Sequence, residues 1–177
     1  MNNSLIISLL FLIVGCSRLI DEPSLIEKNG VMYLPQSDKP YSGDVSKSDN
    51  FGKTLLKGTY KNGKKDGLWT EWDENGQKKS EGKFEDDKKD DLWKDYYENG
   101  QLQEEGHYKE GKYEGLWIRY FDNGILSIKG NYKDDKQDGF WKSYYDNGQL
   151  KYEWNYKEGE LISQECWDED GNEKECD

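Results

Sequence analysis

Alanine is absent from the 177 residues, and methionine (2), proline (3), cysteine (3) and histidine (1) are scarce. With the best helix former missing and 19 glycines spread along the length, a helical bundle does not fit. Positive charge is short too: 25 Lys and Arg against 37 Asp and Glu give a net charge of −12 and a pI near 4.7. That excludes a nucleic-acid binder, which needs a net basic face to displace the counterions of phosphate. Aliphatic side chains are few, with 33% hydrophobic residues against 35% charged, a ratio that suggests disorder in an ordinary chain. What is abundant is aromatic: 7 Trp and 13 Tyr supply large ring surfaces to bury.

Only one long apolar run occurs, Leu5 to Val14, broken by Ser8 and preceded by no charged side chain. Ten helical residues rise about 15 Å, half of a hydrocarbon core, so the run reads as a signal-peptide segment rather than a membrane span. The junction Ile13-Val14-Gly15-Cys16 resembles a bacterial lipobox, although Met1 to Ser4 carry no Lys or Arg. That resemblance implies lipidation at Cys16, a membrane-anchored lipoprotein of the cell envelope, and, from Ser17, sorting to the outer membrane in a two-membrane bacterium. The expected organisation is a signal peptide over residues 1–15, a lipidated tether over 16–30 and a repeat domain over 31–177.

The repeat has a period of 24: Gly52, Gly76, Gly100, Gly124 and Gly148 fall in register. Full copies span 67–90, 91–114, 115–138 and 139–162, with a degenerate copy at 43–66 and a truncated one at 163–177 as caps. Each opens on Gly67-Leu68-Trp69 or its equivalent (Asp91-Leu92-Trp93, Gly115-Leu116-Trp117, Gly139-Phe140-Trp141) and continues to an Asn-Gly pair. A second glycine recurs at Gly58, Gly82, Gly106 and Gly130. Residues 149–157 alternate polar and apolar, the period of a strand. Asn-Gly predicts two-residue hairpins in type I′ turns, because both residues tolerate positive φ. The expected fold is all-β, one elongated antiparallel meander of about twelve strands built from tandem hairpins.

Loop length decides which face is buried, since a one-residue slip flips every side chain. A two-residue loop at Asn75-Gly76 sets Trp69 opposite Gly82, Trp93 opposite Gly106 and Trp117 opposite Gly130, with space for each indole; Trp154 then lies opposite Trp141. A three-residue loop sets Leu68 opposite Gly82 and turns the Trp row outward. The first is favoured.

The run Gly-Leu-Trp, two residues, Tyr-Tyr, then Asn-Gly-Gln-Leu and a later Glu-Gly-x-Tyr resembles the MORN-repeat variant found in many bacterial proteins, over residues 31 to 172. The lead-ins Tyr33-Leu34-Pro35 and Pro40-Tyr41-Ser42-Gly43 are similar to segments that precede such arrays. The resemblance implies a β-hairpin scaffold with no catalytic residues to transfer. Many members bear an antitoxin label, implying a protein toxin as partner, which an exported chain cannot meet in the cytoplasm.

No constellation carries catalysis, metal binding or a cofactor. His107 fills a position held elsewhere by Lys83, Asn131 and Asn155, a solvated strand site. Trp167 to Asn172 lacks the ligand spacing of a calcium loop. Cys166 and Cys176 flank the turn at Asp170-Gly171 and are a candidate disulfide. With a two-residue loop, Cys166 lies across from Glu175, so a bridge needs a slipped register. Charge is uneven: residues 38–66 carry a net +3 and residues 153–177 a net −8. The acid reads first as protection of an edge strand against pairing, and second as a site for a basic partner. The expected function is a non-catalytic lipoprotein scaffold for protein interaction at the envelope, holding the membrane through its lipid. The alternatives are a carbohydrate or cell-wall module using Trp72, Tyr96, Tyr120 and Tyr144 as a binding face, and an antitoxin-like neutraliser.

Overall fold

The structure, a computed structural model, describes residues 19–176. The expected signal peptide and Cys16 lie outside the described residues. Two turn types, alternating along the chain, organise everything that follows.

The opening segment contributes β1 (Ile20–Asp21), a 3-10 turn (Glu22–Ser24), β2 (Ile26–Lys28) and β3 (Val31–Tyr33). The array then runs through β4 (Gly43–Ser48), β5 (Thr54–Lys61), the two-residue β6 (Lys64–Lys65), β7 (Gly67–Trp72), β8 (Lys78–Glu85), β9 (Lys88–Tyr96) and β10 (Leu102–Lys109). It continues as β11 (Lys112–Tyr120), β12 (Leu126–Lys133), β13 (Lys136–Tyr144), β14 (Leu150–Lys157), β15 (Glu160–Trp167) and β16 (Glu173–Lys174). One 14-stranded sheet results, antiparallel from β4 onward, with β1 added in parallel at its start; β2 and β3 form a separate hairpin. The described residues contain no α-helix.

The stretch expected as a tether is, from Ile20 on, part of the array's end. β1 pairs with β4 at Val45 and Ser46, and Leu25 and Tyr41 are buried against Val45, Tyr60 and Trp69. Gly43-Asp44-Val45 is thus the first copy of the Gly-Leu-Trp motif, with Val45 fully buried where later copies place Trp.

The Asn-Gly loops are not type I′. The Asp73 N–H donates to the Gln77 carbonyl (2.9 Å) and the Gly76 N–H to the Asp73 carbonyl (3.0 Å), leaving three residues between the closing pair. Only the glycines of these loops are left-handed (φ +83° at Gly76, +83° at Gly100). A side-chain acceptor closes each loop instead: Asp73 Oδ1 accepts the Gln77 N–H (2.9 Å), whereas in the next copy Asn99 Oδ1 accepts the Gln101 N–H (2.9 Å) and its Nδ2 donates to Asp122 O of the following loop (2.8 Å). Type I′ geometry belongs to the opposite turns, where both central residues are left-handed: Asn62 and Gly63 (+51°, +78°), Glu110 and Gly111 (+51°, +85°). Asp87 and Asp135 fill the second position in two of these turns, and each carboxylate accepts a backbone N–H, of Lys65 or of Tyr113 (2.7 Å). Successive turns of this type are tied by one repeating bond, Gly63 N–H to Tyr41 O, Asp87 to Lys65, Gly111 to Lys89, Asp135 to Tyr113 and Gly159 to Gln137.

A three-residue loop alone would have turned the Trp row outward. A bulge offsets it: Trp72 pairs with Lys78 and Glu71 with Ser80, leaving Lys79 unpaired. The same slip recurs at Gln103, Ser127 and Lys151. Loop and bulge cancel, so Trp69 faces Gly82, Trp93 faces Gly106, Trp117 faces Gly130 and Trp141 faces Trp154, the favoured register.

The space over each glycine is nonetheless filled by the indole of the following strand. A Cβ at Gly58 would meet the Trp69 ring, at Gly82 the Trp93 ring and at Gly130 the Trp141 ring. Each of these indoles donates its N–H to the carbonyl after that glycine: Thr59 (3.1 Å), Lys83 (2.8 Å) and Asn131 (3.0 Å). Their rings interlock edge to face with Tyr60, Phe84, Tyr108 and Tyr132 at centroid distances of 4.8 to 6.5 Å. Each such pair adds about 0.5–1.5 kcal/mol beyond burial. Lys65 and Lys89 lay their ammonium groups over Trp69 and Trp93 (4.5 and 4.3 Å). A single-layer sheet thereby builds a core from its own aromatic face. Trp117 differs: it is only partly buried, tilts onto Trp141 (5.7 Å) and carries the Arg119 guanidinium over its ring (5.5 Å).

Candidate functional site

The face opposite the Trp row is the candidate binding surface. Strand alternation places three rows on it. The central row runs through cross-strand partners Thr70, Glu81, Lys94, Glu105, Ile118, Lys129, Lys142, Glu153 and Glu165. Ion pairs bind it laterally, Lys94 to Glu105 (3.8 Å) and Lys142 to Glu153 (2.6 Å).

On one side of this row lie Trp72, Tyr96, Tyr120 and Tyr144, all partly buried. Leu102, Leu126 and Leu150 sit directly across from the three tyrosines, so the rings alternate with leucines and make no ring pair with one another. Tyr96 donates its hydroxyl to Glu81 (2.7 Å), whose second oxygen accepts Lys78 Nζ (2.8 Å). Burial and the Glu81 carboxylate push the Tyr96 hydroxyl well above the ordinary tyrosine range. Burial would raise Glu81 in turn, but the hydrogen bonds from Lys78 and Tyr96 outweigh it and hold the carboxyl low. Burial and Glu105 raise Tyr120 as well. The four rings are therefore brought onto one face, as the sequence suggested, yet as half-packed members of a lateral row.

On the other side lies a second row, apart from the ring row expected from the sequence. Leu68, Leu116 and Phe140 are 64%, 43% and 60% exposed, and Leu92 continues the row. Its signal was present in every copy, as the residue before each Trp. His107 stands opposite Leu92, exposed, with Nδ1 3.4 Å from the Leu116 carbonyl.

Cys166 and Cys176 are joined, with Cα atoms 5.4 Å apart. The three-residue loop supplies the slipped register: Cys166 pairs with Lys174, so Cys176, two residues on, returns to the same face. The Asp168 carboxylate is held low by hydrogen bonds from Asn172, Asp170 and Gly171, which close its own loop. Among the described residues, no group of His, Cys, Asp or Glu is arranged to hold a metal ion. No helix among them is long and apolar enough to cross a membrane.

Residues 65–86, 92–110, 113–134 and 137–158 each match the MORN repeat variant. The chain is a tandem MORN-repeat protein. MORN repeats serve in general as modules for protein or membrane interaction, and the hairpins here follow one another at their spacing. No curated protein matches the chain.

Proposed function

We propose that the protein is an exported lipoprotein anchored at the cell envelope through Cys16, and that its MORN array is a non-catalytic scaffold that binds protein. The exposed row Leu68, Leu116 and Phe140 carries the binding half of this reading, because it repeats an apolar side chain once per copy beside a row of charges. The junction Ile13 to Cys16 carries the export half. A carbohydrate module would use exposed, co-facial rings, whereas Trp72, Tyr96, Tyr120 and Tyr144 are all partly buried, the tyrosines across from leucines and Trp72 across from Lys78. The neutralising-antitoxin reading requires a chain that stays in the cytoplasm.

Expression of the full chain in a bacterium tests the anchor. Wild type is expected to partition into detergent with a lipid-modified Cys16, and Cys16→Ser to remain unprocessed. If both forms are soluble and unmodified, export fails and the antitoxin reading takes its place.

A further inference from the structure

The two ends of the array differ in what they leave open. At the first end, β1 already occupies the outer side of β4 at Val45 and Ser46, and the 3-10 turn and β2–β3 hairpin pack beside it. At the other end, β16 pairs with β15 only at Cys166 and Trp167. Among the described residues, no strand pairs with the outer side of Glu160 to Glu165. Leu161 and Ile162 on that strand are 48% and 59% exposed. An open groove of about 690 Å³ lies at the end of this stretch, where β15 meets β16, lined by Glu165, Glu173 and Glu175 with Lys174 as its one cation.

The charges of the central row name the occupant. Lys142 pairs with Glu153, but the next position outward is Glu165, directly across from Glu153. Among the described residues, no Lys or Arg forms an ion pair with Glu165. Like charges directly opposite one another destabilise a ladder, and a cation on the following strand relieves it. Resting on the reading of the array as a protein-binding scaffold, we infer that the outer edge of β15 receives an extended, lysine- or arginine-bearing segment of a partner protein as the next strand of the sheet. Backbone hydrogen bonds supply the affinity and Glu165, Glu173 and Glu175 select the basic side chains. A second copy of this chain is a poor occupant. Antiparallel pairing of two β15 strands sets Glu160 and Glu165 of one against those of the other, and the first end is covered by β1.

The test titrates the full chain, in detergent, with a labelled eight-residue synthetic peptide alternating lysine with threonine or valine. Hydrogen exchange locates the bound peptide. The expected result is protection of residues 160–165, with binding weakened about tenfold when a central proline interrupts the peptide ladder. Glu165→Lys is expected to weaken binding about fivefold. Of the neighbouring variants Ser163→Pro and Gln164→Pro, the one whose amide faces outward loses peptide binding while keeping its thermal midpoint. Equal binding of the proline peptide, indifference to Glu165→Lys, or no binding overturns the inference. Protection along the Trp72 or Leu68 rows instead overturns the edge site and leaves the scaffold reading standing.

Discussion

The central hairpins and the last hairpin share one period but not one register. From β8 to β13 the motif before each Trp inserts two residues against its neighbour: Glu81 pairs with Lys94 but Lys83 with Asp90, and Lys129 pairs with Lys142 but Asn131 with Asp138. The left-handed residue at the start of the motif makes this possible, with φ of +63° at Asp91, +91° at Gly115 and +75° at Gly139. In the last hairpin the equivalent residue is Ser163, which is not left-handed, and only Ile162 is inserted between Asn155–Ser163 and Tyr156–Leu161. An insertion of two keeps the faces and an insertion of one exchanges them. Glu165, at the Trp position, therefore lands on the mixed face opposite Glu153, and Cys166 lands on the aromatic face, 1% exposed. Trp154, where earlier copies have glycine, stacks on Tyr152 (5.0 Å) and fills the space that no later indole reaches. The indole-over-glycine pattern is thus interrupted by sequence, at Trp154 and Ser163.

The largest effect expected of a break in this comparison is at the buried indoles. Trp141→Ala, losing a 1%-exposed ring and its bond to Asn131, should cost about 3–5 kcal/mol in chemical denaturation, and the partly buried Trp154 clearly less. Gly82→Ala should cost about 2–3 kcal/mol, because the Trp93 ring must move from the sheet, and thermal unfolding would register it. Cys176→Ser opens a bridge of sequence separation 10 and should cost about 2–3 kcal/mol. In a one-dimensional array that loss should show as faster hydrogen exchange in β15 and β16 alone, with the central strands unchanged.

Smaller effects separate the copies from one another. Asp91→Gly should stabilise by about 0.5 kcal/mol, since a left-handed aspartate stands where the sibling copies have glycine. Asp95 is raised by burial first and then by Glu104 and Glu71, against the pull of Lys89. Its contribution to stability is therefore full below the ordinary aspartate value near 3.9 and is lost as pH rises through the raised folded value. Asp95→Asn should accordingly raise the melting temperature at pH 7 relative to wild type, and the gain should vanish in acid. An equal shift at both pH values would remove this account of Asp95.

Much of this was legible in the residues. Period, strand character and the Trp–Gly register followed from the spacing of Gly-Leu-Trp and Asn-Gly. The turn type differs from the expected one because Asn-Gly does not act here through two left-handed residues: Gly76 alone takes positive φ, and the loop is closed by a side-chain acceptor, Asp73 in this copy and the asparagine itself in the copies at Asn99, Asn123 and Asn147. The compensating bulge at Lys79 has no residue signature, since Lys, Gln and Ser fill that position and the slip is fixed by the loop it offsets. The direction in which each indole leans was equally hidden: a glycine between two Trp strands leaves space to both, and the bond to the following carbonyl decides. Of the candidate site, the ring row was visible by period, whereas its half-burial depended on Leu102, Leu126 and Leu150 crossing from the next strand.

Cross-strand Hα–Hα contacts in the last hairpin, measured by NMR on the oxidised chain, test most directly the claim that the residue two before each Trp position sets the face of its strand. Contacts consistent with Tyr152 facing Cys166 and Trp154 facing Gln164 are the expected result. Contacts placing Glu153 opposite Cys166, the register that the preceding hairpins extrapolate, would contradict it.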